Sequence, residues 1–205
     1  MRLAIPRPLL VSIAAMVVAP LALPGCGGGG GGDGGMMPAP IVASFSGSGT
    51  ASAPNVVRLT GSPSGNTVVV RVVVGGPTTS SDLYSFAFDL VLGDASVATY
   101  VAGSAAFGTA LTLTGDQSSS VLATLQGNRV VVGVTKQQGV SNSGAGNGVP
   151  SEQTVVSLTF RLLKAGSTTL TIEGAPGGSP ACLDSAGVAI PSIVFDAAPA
   201  TLSGT

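Results

Sequence analysis

The chain has no histidine and no tryptophan, only two tyrosines and two cysteines, and charge on just 8% of its 205 residues. Each shortage removes a class of function. Without histidine there is no ordinary Ser-His-Asp triad, no imidazole metal ligand and no imidazole base for a cysteine nucleophile. Charged residues average about 25% in globular proteins, so this surface is unusually neutral. Eight Lys and Arg against nine Asp and Glu leave no basic footprint for nucleic acid. The acids are also thin for glycoside chemistry, which needs two carboxyls facing one sugar about 5–10 Å apart. Beyond Asp33 they are Asp82, Asp89, Asp94, Asp116, Glu152, Glu173, Asp184 and Asp196, most beside expected turns, and nothing in their spacing pairs them. Asp82, Asp89 and Asp94 are the one set that could approach a calcium, but a dedicated site takes 6–8 oxygens from clustered ligands. No enzyme activity, cofactor or metal is therefore expected.

What is present begins with an export signal. Arg2 and Arg7 precede a run from Leu9 to Leu23 that is apolar apart from Ser12 and Pro20. That is the n-region and h-region of a secretory signal, too short to span a bilayer comfortably. An A-x-A cleavage site is missing, because Pro20 occupies a position that needs a small residue. The chain reads Leu23-Pro24-Gly25-Cys26 instead, which resembles the lipobox of bacterial lipoproteins. The resemblance implies residues 1–25 as signal peptide, lipid on the Cys26 thiol and an acylated new N-terminus. More than one acyl chain gives stable anchoring. Residues 26–40 then form a Gly-rich linker, a coil reaching roughly 20 Å. Gly27 rather than Asp after the cysteine favours, by analogy, the outer membrane or cell surface. With Cys26 lipidated, Cys182 has no disulfide partner and reads as a small buried apolar residue.

Residues 41–200 read as one all-β domain. No helical period is sustained, and Val- and Thr-rich runs alternate with Gly, Ser, Pro and Asn. In 154–163, Val156, Leu158, Phe160 and Leu162 share one face, as do Leu170 and Ile172 in 168–173. In 83–92, Tyr84, Phe86, Phe88, Leu90 and Leu92 form the densest aromatic stripe and read as core. Val68–Val74 and Val130–Val134 are apolar on both faces and suit interior strands. Further strands are expected at 41–46, 55–60, 97–102, 109–114, 120–126 and 188–195, with turns at Gly61 to Gly65, Gly75-Gly76-Pro77 and Gly127-Asn128. About ten antiparallel strands without helices imply a two-sheet sandwich or barrel. Gly144-Ala145-Gly146-Asn147-Gly148 fails the G-x-G-x-x-G spacing and reads as part of a flexible surface loop from Gly139 to Pro150.

These runs, in order, resemble a cohesin domain, within the jelly-roll sandwich group that includes carbohydrate-binding modules. The resemblance spans about Asn55 to Val194. It is carried by Gly65-Asn66-Thr67-Val68-Val69-Val70, Phe86-Ala87-Phe88-Asp89, Arg129 to Val134 with Gly139-Val140, Ser157-Leu158-Thr159-Phe160-Arg161, Gly166-Ser167-Thr168-Thr169-Leu170, and Leu183-Asp184 with Gly187. It implies a cohesin-like antiparallel β-sandwich that binds a protein partner, a calcium-carrying dockerin-like module, through one sheet face. That face would lie on the sheet holding the 83–92 and 128–135 strands, with its contact residues unassigned. The chain itself has no EF-hand pattern, so it is not its own partner. Two alternatives stay open: a polysaccharide-binding module of the same sandwich group, for which Tyr100 is the one candidate exposed ring, and a passive surface lipoprotein.

Overall fold

The computed structural model describes residues 39–140, 144–174 and 178–205. The expected signal peptide, Cys26 and nearly all of the glycine linker lie outside the described residues. Within them every regular element is a strand. The strands are β1 (Ala43–Ser46), β2 (Val56–Ser64), β3 (Thr67–Val74), β4 (Ser85–Leu92), β5 (Ala98–Tyr100), β6 (Ala106–Phe107), β7 (Ser118–Gln126), β8 (Arg129–Gln137), β9 (Gln153–Leu162), β10 (Gly166–Glu173), β11 (Ala181–Leu183), β12 (Val194–Phe195) and β13 (Ala200–Gly204). They form two sheets. The first runs β1-β13-β10-β4-β8-β7, with β11 also pairing β4. The second runs β12-β2-β3-β9-β5, with β6 also pairing β9. All pairs are antiparallel except the two-residue pairing of β12 with β2. This is the expected all-β two-sheet sandwich.

The period of two explains the layering. Phe86, Phe88, Leu90 and Leu92 on β4 and Val130, Val132 and Val134 on β8 point inward from the first sheet. Val57 and Leu59 on β2, Val68, Val70 and Val72 on β3, and Leu158, Phe160 and Leu162 on β9 answer them from the second. Each such side chain contributes about 1.5–3 kcal/mol on burial. The two valine-rich runs are interior strands, as their apolar faces required: β3 lies between β2 and β9, and β8 between β4 and β7. The register shift at Val72/Val73 leaves Val155 of β9 as the extra, unpaired residue, and Val155 and Val156 are both buried. Gly65 and Gly127 hold φ of 55° and 64°, the left-handed values that two-residue hairpins need.

Several boundaries differ from the pattern. Residues 109–114 are not a strand; the segment before them forms β6, and Gly108 and Ala110 donate to Val155 O and Thr154 O at the edge of β9. Strand β2 continues through Gly61 to Ser64, so the turn is only Gly65-Asn66. The 188–195 run yields just β12, because Asp184 folds the preceding chain into a turn, accepting from Ala186 N and Val188 N at 2.9 and 2.8 Å. Strands β11 and β13 have no clear sequence signal and exist by pairing with β4, and with β1 and β10.

Candidate functional site

The outer face of the first sheet is assembled from strands far apart in sequence. Cross-strand registers set out its rows. One row is Leu122, Gly133, Ala87 and Ala181, on β7, β8, β4 and β11. The row on one side is Ser120, Thr135, Ser85 and Leu183. On the other side come Thr124, Val131, Asp89 and Glu173, and then Gln126, Arg129, Val91 and Thr171. The central row carries almost no side-chain relief. Its one large group, Leu122, is 60% exposed.

All charge on these four rows resides in one cluster of two carboxylates and one guanidinium. Asp89 and Glu173 are direct cross-strand neighbours, a like-charge pair that is unfavourable alone. Arg129 resolves it. Its Nη1 donates to Asp89 Oδ2 at 2.8 Å and to Gly174 O at 3.1 Å, and its Nη2 donates to Glu173 Oε2 at 3.0 Å. The Asp89 hydrogen bond, then that of Glu173, holds the guanidinium pKa above its ordinary value. Asp89 is wholly buried although it points outward, and its Oδ1 has no partner among the described residues.

A second cluster sits at one end of the sandwich. Lys136 follows the inward parity of β8 and is 2% exposed. Its Nζ donates to Ala145 O at 3.3 Å. Burial lowers the Lys136 pKa, and the Asp82 charge partly offsets that. Asp82 accepts from Gly146 N at 2.7 Å and from Ser185 Oγ at 2.9 Å. Burial would raise its pKa, but those hydrogen bonds, aided by Lys136, bring it below the ordinary value. Residues 144–149 are thereby tied down where a free loop was expected. Asn147 adds to this, donating to Ala110 O at 2.9 Å and accepting from Thr112 N at 3.0 Å. A Cβ on Gly146 would lie 2.4 Å from the Asp82 carbonyl carbon, so glycine is required for that approach.

The other candidate residues have separate structural roles. Asp82, Asp89 and Asp94 engage different partners; Asp94 accepts from Ser96 N and Oγ at 2.8 and 2.6 Å. Glu152 pairs with Arg58 at 2.7 Å. Among the described residues no three metal-ligating side chains converge. Cys182 is buried opposite Phe86, and burial pushes its thiol up to about 12. Tyr100 corrects the expectation of an exposed ring: it is 5% exposed and packs on Phe160, centroids 6.0 Å apart. Tyr84 is half-buried and not fully in the core stripe. No aromatic ring among the described residues is fully exposed. A shallow groove of about 450 Å³ is lined by Phe107, Thr109, Leu111, Leu113 and Gln153, without a titratable group.

Geometry thus defines the class: a β-sandwich with one flat, nearly neutral sheet face and no assembled catalytic centre among its described residues. Solved structures similar to the chain are cohesin modules. A type II cohesin from the cellulosome of Acetivibrio cellulolyticus is 13% identical at a TM-score of 0.48, covering 71% of this chain and 92% of that one. The non-cellulosomal cohesin of Archaeoglobus fulgidus is 17% identical at 0.44, covering 75% and 85%. The sixth cohesin of A. cellulolyticus scaffoldin B, solved with a Cel5 dockerin, is 14% identical at 0.45, covering 78% and 95%. No family model matches the sequence. No curated protein matches it either.

Proposed function

We propose that the chain is a cohesin-like binding module whose first-sheet outer face docks a second protein, a small helical module of the dockerin kind. The observation that carries this reading is the row Leu122, Gly133, Ala87 and Ala181. Gly and Ala leave no side chains to hold a partner's backbone away, and Leu122 supplies an apolar anchor ringed by hydroxyls. Depletion of charge from the centre, with the charged groups of these rows ion-paired at the border, is the composition of a desolvating interface. The ordered strand motifs of the sequence point to the same face. Sugar binding is less well served, since the rings that would stack on a pyranose are buried or half-buried.

The module would act outside the cytoplasm, held by lipid on Cys26. That part of the proposal rests on the lipobox-like Leu23-Pro24-Gly25-Cys26. Two experiments test the reading. Titration of the full chain with dockerin modules encoded in its own genome should give saturable binding that Ala87→Arg abolishes while the fold persists. Binding indifferent to Ala87→Arg and Leu122→Arg would remove this face from consideration. Separately, Cys26→Ala should release the protein from the membrane fraction; a variant that stays there refutes the anchor.

A further inference from the structure

The edges of the two sheets are not alike. Natural sheets protect their edges with short strands, charges, prolines or bulges. Here β1, β5, β6 and β12 are edge strands of only two to four residues. Strand β7 is the exception. It is nine residues long, Ser118–Gln126, at the end of the first sheet, and reads SSSVLATLQ. It has no charge, no proline and no glycine. Its register with β8 is continuous from Ser118↔Gln137 to Gln126↔Arg129, without a bulge.

The hairpin determines which backbone groups are free. A two-residue turn closes on a hydrogen-bonded pair, here Gln126 and Arg129. Bonding alternates along an antiparallel ladder, so Ser118, Ser120, Leu122, Thr124 and Gln126 bond to β8. Ser119, Val121, Ala123 and Leu125 therefore turn their N–H and C=O groups to the open edge. The same four follow the inward parity of the strand, yet none is fully buried, and Leu125 remains 38% exposed. Val121 and Ala123 lean on the core, but among the described residues these open backbone groups have no strand beside them.

We infer that β7 pairs antiparallel with β7 of a second copy, joining two first sheets into one. The pattern of free groups makes the strand complementary to itself. A two-fold axis at Leu122 sets Ser119 opposite Leu125 of the other copy and Val121 opposite Ala123, each position presenting free groups to free groups. About eight new N–H···O bonds result, two for each of four open residues per dimer edge. Leu122 meets its own counterpart at a non-hydrogen-bonded position, where side chains approach closest. With no charge in the strand, self-pairing meets no repulsion. A nine-residue strand is about 30 Å long, so its edge alone falls short of the roughly 1,200 Å² of a standard stable interface. The dimer is accordingly weak in dilute solution and is favoured by crowding on a surface. Leu122 is shared between the dimer seam and the docking face, while Gly133, Ala87 and Ala181 stay open and the two faces become continuous.

Sedimentation velocity of the full chain, from about 10 µM to about 1 mM, tests this. The wild type should move from monomer to dimer across that range. Ser119→Lys with Leu125→Lys opposes like charges twice across the axis and should weaken association at least tenfold. Ser119→Lys with Leu125→Glu opposes unlike charges and should restore it, which separates lost pairing from lost folding. Amide exchange at Ser119, Val121, Ala123 and Leu125 should slow as dimer forms. A chain monomeric at the highest concentration, or association indifferent to both charge variants, overturns the inference. Neither result bears on dockerin binding through Ala87.

Discussion

Cys182 offers a sharp test of the packing, because its thiol is neutral in the folded state far into the alkaline range. It is 1% exposed on β11, opposite Phe86, and burial raises its pKa from 9.0 to about 12. The unfolded chain ionises this thiol above pH 9 and the folded chain does not. The stabilising difference is complete below pH 9 and is lost as pH climbs toward 12. At pH 10.5 the linkage relation gives a loss of about 2 kcal/mol relative to pH 8. For a domain of this size that lowers the melting temperature by about 4–8 °C. Other groups titrate in the same range, so the measurement is a difference of differences. Melting curves of the wild type and Cys182→Ala are recorded at pH 8 and pH 10.5. The variant starts lower, having lost buried volume, but should lose about 2 kcal/mol less between the two pH values. Alkylation mapped to Cys182 should also run about a thousandfold slower than at an ordinary thiol at pH 8. Equal alkaline losses in the two proteins, or rapid native-state alkylation, would refute the burial argument.

Other outcomes are equally specific. Gly108→Ala would place a Cβ 2.0 Å from Thr154 O, so the β6 segment must lift off β9; urea unfolding should show a loss of about 3 kcal/mol, from two hydrogen bonds and the cover over Leu111. Arg129→Met leaves Asp89 buried opposite Glu173 without a cation, and thermal unfolding should show clear destabilisation that Glu173→Gln partly relieves. The lowered pKa of Asp82 means its contribution is present above the ordinary carboxylate range and lost as pH falls through its depressed value; Asp82→Asn should flatten the acid limb of the stability profile.

The strands that were legible in the sequence carry their own signal. Strands β3, β4, β8 and β9 alternate or saturate with valine, leucine and phenylalanine, so period and burial agree. Strand β13 reads ATLSG, a turn-like composition, and is a strand because β1 and β10 flank it. The burial of Tyr100 was not legible, since Val97 to Ala102 is apolar on both parities save for Thr99 and Tyr100 itself, and only pairing with Phe160 decides which side faces in. The proposed docking face was legible only as a sheet. Ala87, Gly133 and Ala181 attract no notice singly; register makes them a row.

The order of strands in the first sheet also defines a mechanical load path. The chain enters beside β1, and Val42 and Thr205 exchange backbone bonds of 2.9 and 3.0 Å there. Within the sheet, tension between that entry and a partner on the proposed docking face of β4 and β8 crosses the junctions β1 with β13, β13 with β10, and β10 with β4. The first has four residue pairs, as many as β10 with β4, but β1 is an edge strand with a sheet neighbour on one side only; Phe45 reinforces it, its ring occupying the space a Cβ on Gly61 would take. Under force this edge junction is expected to yield first. With the proposed anchor and docking face, the entry strand would then peel away as a mechanical fuse, lengthening the tether before the docking face is disturbed.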